Sequence, residues 1–351
     1  MKRYRKQLVL AAFVLCTMLL ACIERGITGG LATQTLAERW SKEEEFAQFA
    51  CYFTEEAYFD ADQVFSVEHT LVTKMQEASI ESENENGGRN WIVAYSTQGM
   101  LQISSNRAGM TVRAFGVGGD FFQFHPLQLL DGNYFDASDE NSDGVVIDEM
   151  VAWQLFGSNN VSGMEVEING RIYPVRGVIR SDKGIYSEAV KEEEPTIYVS
   201  YPILAGETAD LPIDCYEVLI ANPVKGFGKD TLTGALGMEE DNYELVECSA
   251  RYDLAHRFEV IKNFGVRSMT TKNIVFPYWE NRARGYEDIS ALFLVLEMIS
   301  MIYPLGWLIK KLYGYWKRRK ELRKTVWNIC KNGYSLLKNT TKTYKLINKE
   351  T

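Results

Sequence analysis

Two long apolar stretches break a chain whose hydrophobic and polar positions otherwise alternate over short periods. Leu8 to Ile23 runs 16 residues without a charge, behind Lys2-Arg3-Tyr4-Arg5-Lys6. As a helix it reaches about 24 Å, slightly short of a typical ~30 Å hydrocarbon core. It reads either as an uncleaved signal anchor or as a removed secretory signal, in which Leu19-Leu20-Ala21-Cys22 would leave Cys22 as a lipidated first residue. Both readings export the region after Ile23. The second stretch, Ile289 to Ile309, is 21 residues long with Glu297 as its single charge. Tyr303 and Trp307 suit an interfacial belt, Pro304 suits a kink, and Lys310-Lys311 come directly after. A buried soluble helix is the alternative, and the basic flank Lys317-Arg318-Arg319-Lys320 speaks against it.

Between these stretches the periods are those of an α+β domain. Residues 25–42 continue the helix or link it onward, Phe46 to Phe53 is strand-like, and Val64, Val67, Leu71 and Met75 recur at helical spacing. Ser82 to Arg89 is a polar loop. Trp91 to Tyr95 and Leu101 to Ile103 read as two strands around a turn at Gly99, with another strand over Met110 to Phe115. Asp148 to Phe156 is a short helix with an acidic first turn, stopped by Gly157. Asn169-Gly170 predicts a type I′ hairpin that puts Met164, Val166, Ile168, Tyr173 and Val175 on one face. Thr196 to Ser200, Ile213 to Ala221 and Tyr243 to Cys248 are further strands. A helix is expected within Val224 to Gly237, and Phe258 to Met269 with Phe276-Pro277-Tyr278-Trp279 leads to the second apolar stretch.

Charge sharpens this order into a topology. The chain of 351 residues carries 38 basic and 47 acidic groups, net −9, but residues 1–23 hold four basic groups and no acid, and residues 310–351 hold 13 basic groups and two acids. The middle therefore has 21 basic against 45 acidic groups. Basic flanks resist translocation, so both ends are expected in the cytoplasm and the acidic middle outside. That middle lacks the clustered cations nucleic-acid binding needs. With 46% hydrophobic residues the chain has ample material for a core. It thereby divides into a cytoplasmic start and first transmembrane helix (1–24), an extracytoplasmic domain (25–288), a second transmembrane helix (289–312) and a basic tail (313–351) that could lie on the anionic inner leaflet.

The chemistry-bearing residues are sparse. His69, His125 and His256 fit no zinc spacing, and His125, in Phe121-Phe122-Gln123-Phe124-His125-Pro126, is expected to be packed structurally. Asp139 to Gly144 starts like a calcium loop, but Met150 stands at the twelfth position where a bidentate glutamate is needed, so an acidic loop is the better reading. Neither a nucleophile elbow nor a phosphate loop occurs, and Gly116-Val117-Gly118-Gly119 reads as a chain reversal. Cys215 and Cys248 lie on strand-like segments and could pair; buried free thiols are the alternative. No catalytic residue, metal ligand or cofactor is nominated, and an exported hydrolase has no recognisable machinery here. Tyr278 to Arg284 is a candidate juxtamembrane coupling element, with Trp279, Glu280, Arg282 and Arg284 as its residues and an aromatic pair suited to the membrane interface; ordinary anchoring at that interface is the alternative. Arg284 could pair with Glu287 or Asp288. Glu297 either pairs with a partner helix or sits near enough to the outer interface to stay wet.

The stretch from Gly116 to Tyr201 also carries a resemblance. Leu130-Asp131-Gly132-Asn133-Tyr134-Phe135, then Leu155-Phe156-Gly157, then Gly163 to Gly170, then Val175-Arg176-Gly177-Val178 resemble, in order and spacing, the MacB-like periplasmic core domain of ABC-transporter permeases. The resemblance covers about residues 25–285. It implies a two-lobed extracytoplasmic domain: a β-α-β lobe built from both sides, plus a β-rich inserted lobe at about 120–205. It implies no enzymatic activity, and an ABC-type ATP-binding subunit or other permease subunits as partners beside the lipid bilayer, with homo- or hetero-dimers allowed. The family places three membrane helices after this domain; here one apolar stretch stands there. The expected function is therefore a permease-like or accessory subunit coupling membrane-helix movement to extracytoplasmic partners or substrates. The alternative is a membrane-anchored ligand-binding or sensor module without an ATPase.

Overall fold

In the computed structural model, residues 2–41, 45–83, 88–135, 143–181, 186, 189, 194–207, 211–267 and 272–347 are described. They form two compact units, residues 24–292 and residues 1–23 with 293–351.

The larger unit is organised by one mixed sheet. Its strands are β1 (Phe46–Phe53), β2 (Trp91–Ser104), β3 (Gly109–Gly119), β4 (Leu129–Gly132), β5 (Val145–Asp148), β6 (Glu165–Ile168), β7 (Arg171–Ile179), β8 (Thr196–Ser200), β9 (Cys215–Ala221) and β10 (Tyr243–Glu247). They are ordered β10-β1-β9-β2-β3-β8-β5-β7-β4, with β6 bridging β2 and β7. Among the described strands only the β3–β8 and β5–β7 pairs are parallel. The α+β reading holds.

The helices are α1 (Lys2–Thr28), α2 (Leu36–Trp40), α3 (Ala61–Glu77), α4 (Phe121–Phe124), α5 (Glu149–Phe156), α6 (Tyr201–Glu207), α7 (Phe227–Leu236), α8 (Leu254–Arg267) and α9 (Tyr278–Ile347). Asp60 caps α3 in a capping box with Gln63, and the expected stripe Val64, Val67, Leu71 and Met75 is buried against Phe49, Cys51, Val218 and Leu232. Asp148 caps α5 through the Val151 amide. All eight residues of β1 are buried, because α3 and α7 cover one face and other segments cover the second. A strand buried on both faces loses alternation, which is why Phe46 to Phe53 is apolar almost throughout.

The inserted strands β4 to β8 build a second core around Val145, Ile147, Val151, Val166, Val175 and Val199. This lobe is not a separate sheet. Strand β2 is 14 residues long and pairs with β9 at one end and β6 at the other, while β8 docks in parallel on β3. The turn expected at Gly99 is absent: Gly99 lies mid-strand opposite Ala114. Gly99 and Gly116 leave the flat spot that the Leu204 side chain fills, which explains a glycine without a reversal. In Gly116-Val117-Gly118-Gly119 only Gly119, φ +65°, takes the left-handed backbone; the rest is strand. The Asn169-Gly170 turn forms with φ 46° and 82°. Val166, Ile168, Tyr173 and Val175 face inward as expected, but Met164 lies before the strand and is exposed. Residues 84–87 of the Ser82 to Arg89 loop and the Asp139 start of the calcium-like loop lie outside the described residues.

In the smaller unit, the apolar parts of α1 and α9 meet. Thr17 and Ser300 share a 2.6 Å hydroxyl hydrogen bond, and the Phe13 and Tyr303 rings lie 5.4 Å apart. Both helices are long and apolar enough to cross a membrane. Helix α9 passes through Pro304 and runs 70 residues, so the helix predicted from Ile289 starts eleven residues earlier and includes the described part of the basic tail.

Candidate functional site: a buried ionic network on the first turns of the long helix

The first four turns of α9 belong to the larger unit and carry the densest set of buried charges there. Glu280, the third helical residue, is fully buried. Its carboxylate accepts from Arg251 Nη2 at 2.7 and 2.8 Å, from Tyr52 Oη at 2.9 Å and, one turn on, from Arg284 Nε at 2.7 Å. Burial alone would raise the Glu280 carboxyl; the Arg251 and Arg284 guanidiniums outweigh it and hold the group below the usual carboxylate range. Burial works against the charge of Arg251 too, yet Glu280 keeps that guanidinium more basic than usual.

Arg251 sits where the chain leaves the 3₁₀ turn Cys248–Ala250 after the edge strand β10. Its Nη1 donates to Gln34 Oε1 at 3.0 Å and its Nε lies 2.8 Å from Glu287 Oε1. Glu287 also pairs with Arg267 from the end of α8, and Arg267 reaches Asp288 at 2.7 Å. His256 Nε2 stands 3.5 Å from Glu287; burial, then Arg251 and Arg267, pull its pKa down. One turn further, Ser290 Oγ donates to Glu24 Oε1 at 2.5 Å, while Arg257 donates to the Ser290 carbonyl at 3.0 and 3.3 Å. A polar cluster therefore binds the end of α1, the loop carrying Gln34, strand β1, helix α8 and the start of α9. Such charges are tolerated inside because every carboxylate has a guanidinium partner.

Of the residues singled out from sequence, the structure brings Trp279, Glu280 and Arg284 together and places Arg282, also buried, on the same turns. Trp279 is not an interfacial anchor. It is 2% exposed and packs on Phe115, Phe121 and His125, with ring centroids at 5.1, 5.8 and 4.5 Å. Tyr278 Oη shares a 2.9 Å hydrogen bond with Tyr198 Oη. His125 is buried, as its aromatic setting predicts, and its Nε2 lies 2.5 Å from Glu217. Arg284 bonds Glu280 and Glu244 and stacks over Phe276, rather than pairing with Glu287 or Asp288. Those two acids are taken by Arg251 and Arg267, which reach the helix from other segments. Glu297 belongs to the other unit, where Ser300 Oγ donates to its carbonyl at 2.8 Å.

The inserted lobe touches the same helix. Tyr186 Oη donates to the Gly285 carbonyl at 3.1 Å, and its ring packs edge-on against Tyr286. A Cβ on Gly285 would fall 2.7 Å from the Tyr186 ring, so glycine is what admits the tyrosine. Sequence reasoning missed Tyr52, Arg251, Arg257 and Arg267, and gave Glu287 the wrong partner. Their partners are remote in sequence; the single local sign was the run of charges from Glu280 to Asp288. Cys51, Cys215 and Cys248 are buried free thiols rather than a disulfide. Among the described residues no group of three or more metal-ligating side chains occurs.

Residues 52–221 match the family described as the MacB-like periplasmic core domain. Among solved structures, the chain is similar to the periplasmic region of MacB from Actinobacillus actinomycetemcomitans, at 18% identity and a TM-score of 0.40, over 64% of this chain and 94% of that one. It is also similar to the extracellular domain of YknZ, an ABC-type transporter from Gram-positive bacteria, at 15% identity and a TM-score of 0.37, over 57% of this chain and 99% of that one. No curated protein matches the chain.

Proposed function

We propose that this chain, whose residues 52–221 are a MacB-like periplasmic core domain, is a membrane-anchored subunit of an ABC-transporter-type permease system that couples helix movement to extracytoplasmic partners or substrates. The observation that carries the reading is the placement of one helix. The turns of α9 bearing Trp279, Glu280, Arg284 and Glu287 are fixed in the sheet domain by buried ion pairs, and the same helix continues into the apolar stretch Ile289 to Ile309.

A displacement of α9 would be delivered to β1 through Tyr52, to α8 through Arg267 and to the inserted lobe through Tyr186. Loose surface charges could not transmit it, because exposed pairs are worth only ~0–1 kcal/mol and slip. Buried pairs with several hydrogen bonds each resist separation, since an unpaired charge left inside costs about 3–5 kcal/mol. In this reading Trp279, Glu280, Arg282 and Arg284 are the coupling residues and Glu297 is the contact for a neighbouring membrane helix. Both ends lie in the cytoplasm, where an ATP-binding subunit supplies the work. Purification from native membranes through a tag on the tail tests this. The expected result is co-purification of an ATP-binding protein at a fixed ratio; its consistent absence, with the chain intact, would leave the sensor reading in its place.

A further inference from the structure

Helix α8 has an apolar face that the domain does not use. Leu254, Phe258 and Ile261, at i, i+4 and i+7, share one side of the helix. Leu254 is 58% exposed and Phe258 47% exposed. Beside that face Arg257 and Val260 are buried, and Glu259, Asn263, Phe264, Val266 and Arg267 line an open groove that β10 borders with Glu244 and Glu247. None of the three apolar residues lines that groove.

The place at which α8 is held decides what covers this face. Arg257, one residue from Phe258, donates twice to the carbonyl of Ser290 and lies 3.8 Å from Glu24. Ser290 is the second residue of the apolar stretch of α9, and Leu292, two residues on, is already 59% exposed. Glu24 comes directly after the apolar run of α1. The exposed face of α8 is thus fixed at the level where the surface of α9 turns apolar, with Lys262 flanking it as a group able to meet lipid phosphate. A helix with an exposed apolar face, charged groups beside it and a basic flank suits the interfacial plane of a bilayer. We infer that α8 is an interfacial helix that rests Leu254, Phe258 and Ile261 in the outer surface of the lipid bilayer. This rests on the membrane-spanning reading of α9. It adds a third membrane attachment, made by the exported domain itself, so that tilting of the domain against the membrane is resisted by α8.

The test uses the full chain with Cys16, Cys22 and Cys330 replaced by serine, reconstituted in phosphatidylethanolamine–phosphatidylglycerol vesicles. Nitroxide labels are placed singly by Leu254→Cys, Phe258→Cys, Glu259→Cys and Ile299→Cys, and collision with oxygen is compared with collision with a water-soluble nickel chelate. The expected result is a ratio of oxygen to nickel collisions at Leu254 and Phe258 severalfold above that at Glu259 and approaching that at Ile299. Equal, water-like values at Phe258 and Glu259, with Ile299 lipid-like, would overturn the inference and leave α9 in the membrane. Labels at Leu254 and Phe258 shielded from both reagents would overturn it in favour of a protein covering this face. Water-like values at Ile299 would overturn it together with the spanning reading.

Discussion

Arg251 and Glu280 meet through one guanidinium nitrogen and both carboxylate oxygens, at 2.7 and 2.8 Å, with side chains 1% and 0% exposed. With the Tyr52 hydroxyl, 1% exposed and also bonded to Glu280, the pair joins the start of α9 to the body of the sheet domain out of reach of water. Two residues 29 apart in sequence thus fix the helix that leads out of the domain. The pair is costly to form and costlier to halve.

Replacing Arg251 alone leaves Glu280 and Glu287 short of a partner in the interior. Arg251→Ala is expected to destabilise the domain by about 3–5 kcal/mol. In Arg251→Met with Glu280→Met, both charges are gone, and the double variant should be more stable than the sum of the two single losses. Chemical denaturation of the four proteins in detergent checks this; strict additivity would mean the pair is not the unit described here.

Trp279 distinguishes a core residue from a membrane anchor. Its removal opens a cavity against Phe115, Phe121 and His125, so Trp279→Ala should cost about 3–5 kcal/mol and Trp279→Phe clearly less. Unfolding midpoints unchanged by Trp279→Ala would show that the side chain does not hold the domain.

Gly285 gates the contact between the inserted lobe and α9. Gly285→Ala should push the Tyr186 ring away and break its hydrogen bond to the helix. Hydroxyl-radical oxidation of Tyr186, read by mass spectrometry, is expected to rise in the variant. Unchanged oxidation would mean that Tyr186 tolerates the added carbon in place.

The pH dependence has two opposing parts. Asp148, buried, and Asp214, half-buried, are both pushed up to about 6, chiefly by desolvation, against an ordinary value of 3.8. A raised carboxyl favours the folded state when protonated, so their contribution is present at low pH and lost as pH rises through about 6. Glu280, held below its ordinary 4.5, works the other way: its contribution is present above that value and lost as pH falls through its depressed folded pKa. Above 4.5 the Glu280 contribution is complete and only the two aspartates still differ between the states, so thermal stability is expected to fall from about pH 4.5 to about 6 and to level off beyond. Asp214→Asn, which can still accept from the Gln98 amide, should remove part of the decline between pH 3.8 and about 6. A melting profile in Asp214→Asn identical to that of the parent would remove Asp214 from this account.

The sequence made the local periods legible and left the remote pairs hidden. The stripe from Val64 to Met75, the Asn169-Gly170 turn and the short helix stopped by Gly157 each arise from interactions within a few residues, and each stands in the structure. Gly99 misled because a glycine that makes room for Leu204 looks, in sequence, like one that turns the chain. Arg284 misled because residues three and four apart on a helix are natural partners, whereas Arg251 and Arg267 arrive from segments whose approach only the folded sheet decides. Tyr278-Trp279 before an apolar stretch has the composition of a membrane belt; packing against Phe115 and hydrogen bonding to Tyr198 claim the pair instead.

The central claim is that an acidic domain outside the membrane is worked by helices whose basic ends remain inside. Arg107, exposed on the sheet domain, and Lys317, exposed on α9 beyond the apolar stretch, report the two sides. With Cys16, Cys22 and Cys330 replaced, Arg107→Cys should react with a membrane-impermeant maleimide in intact cells, and Lys317→Cys only after the membrane is opened. Labelling of Lys317→Cys in intact cells, with Arg107→Cys protected, would contradict the account.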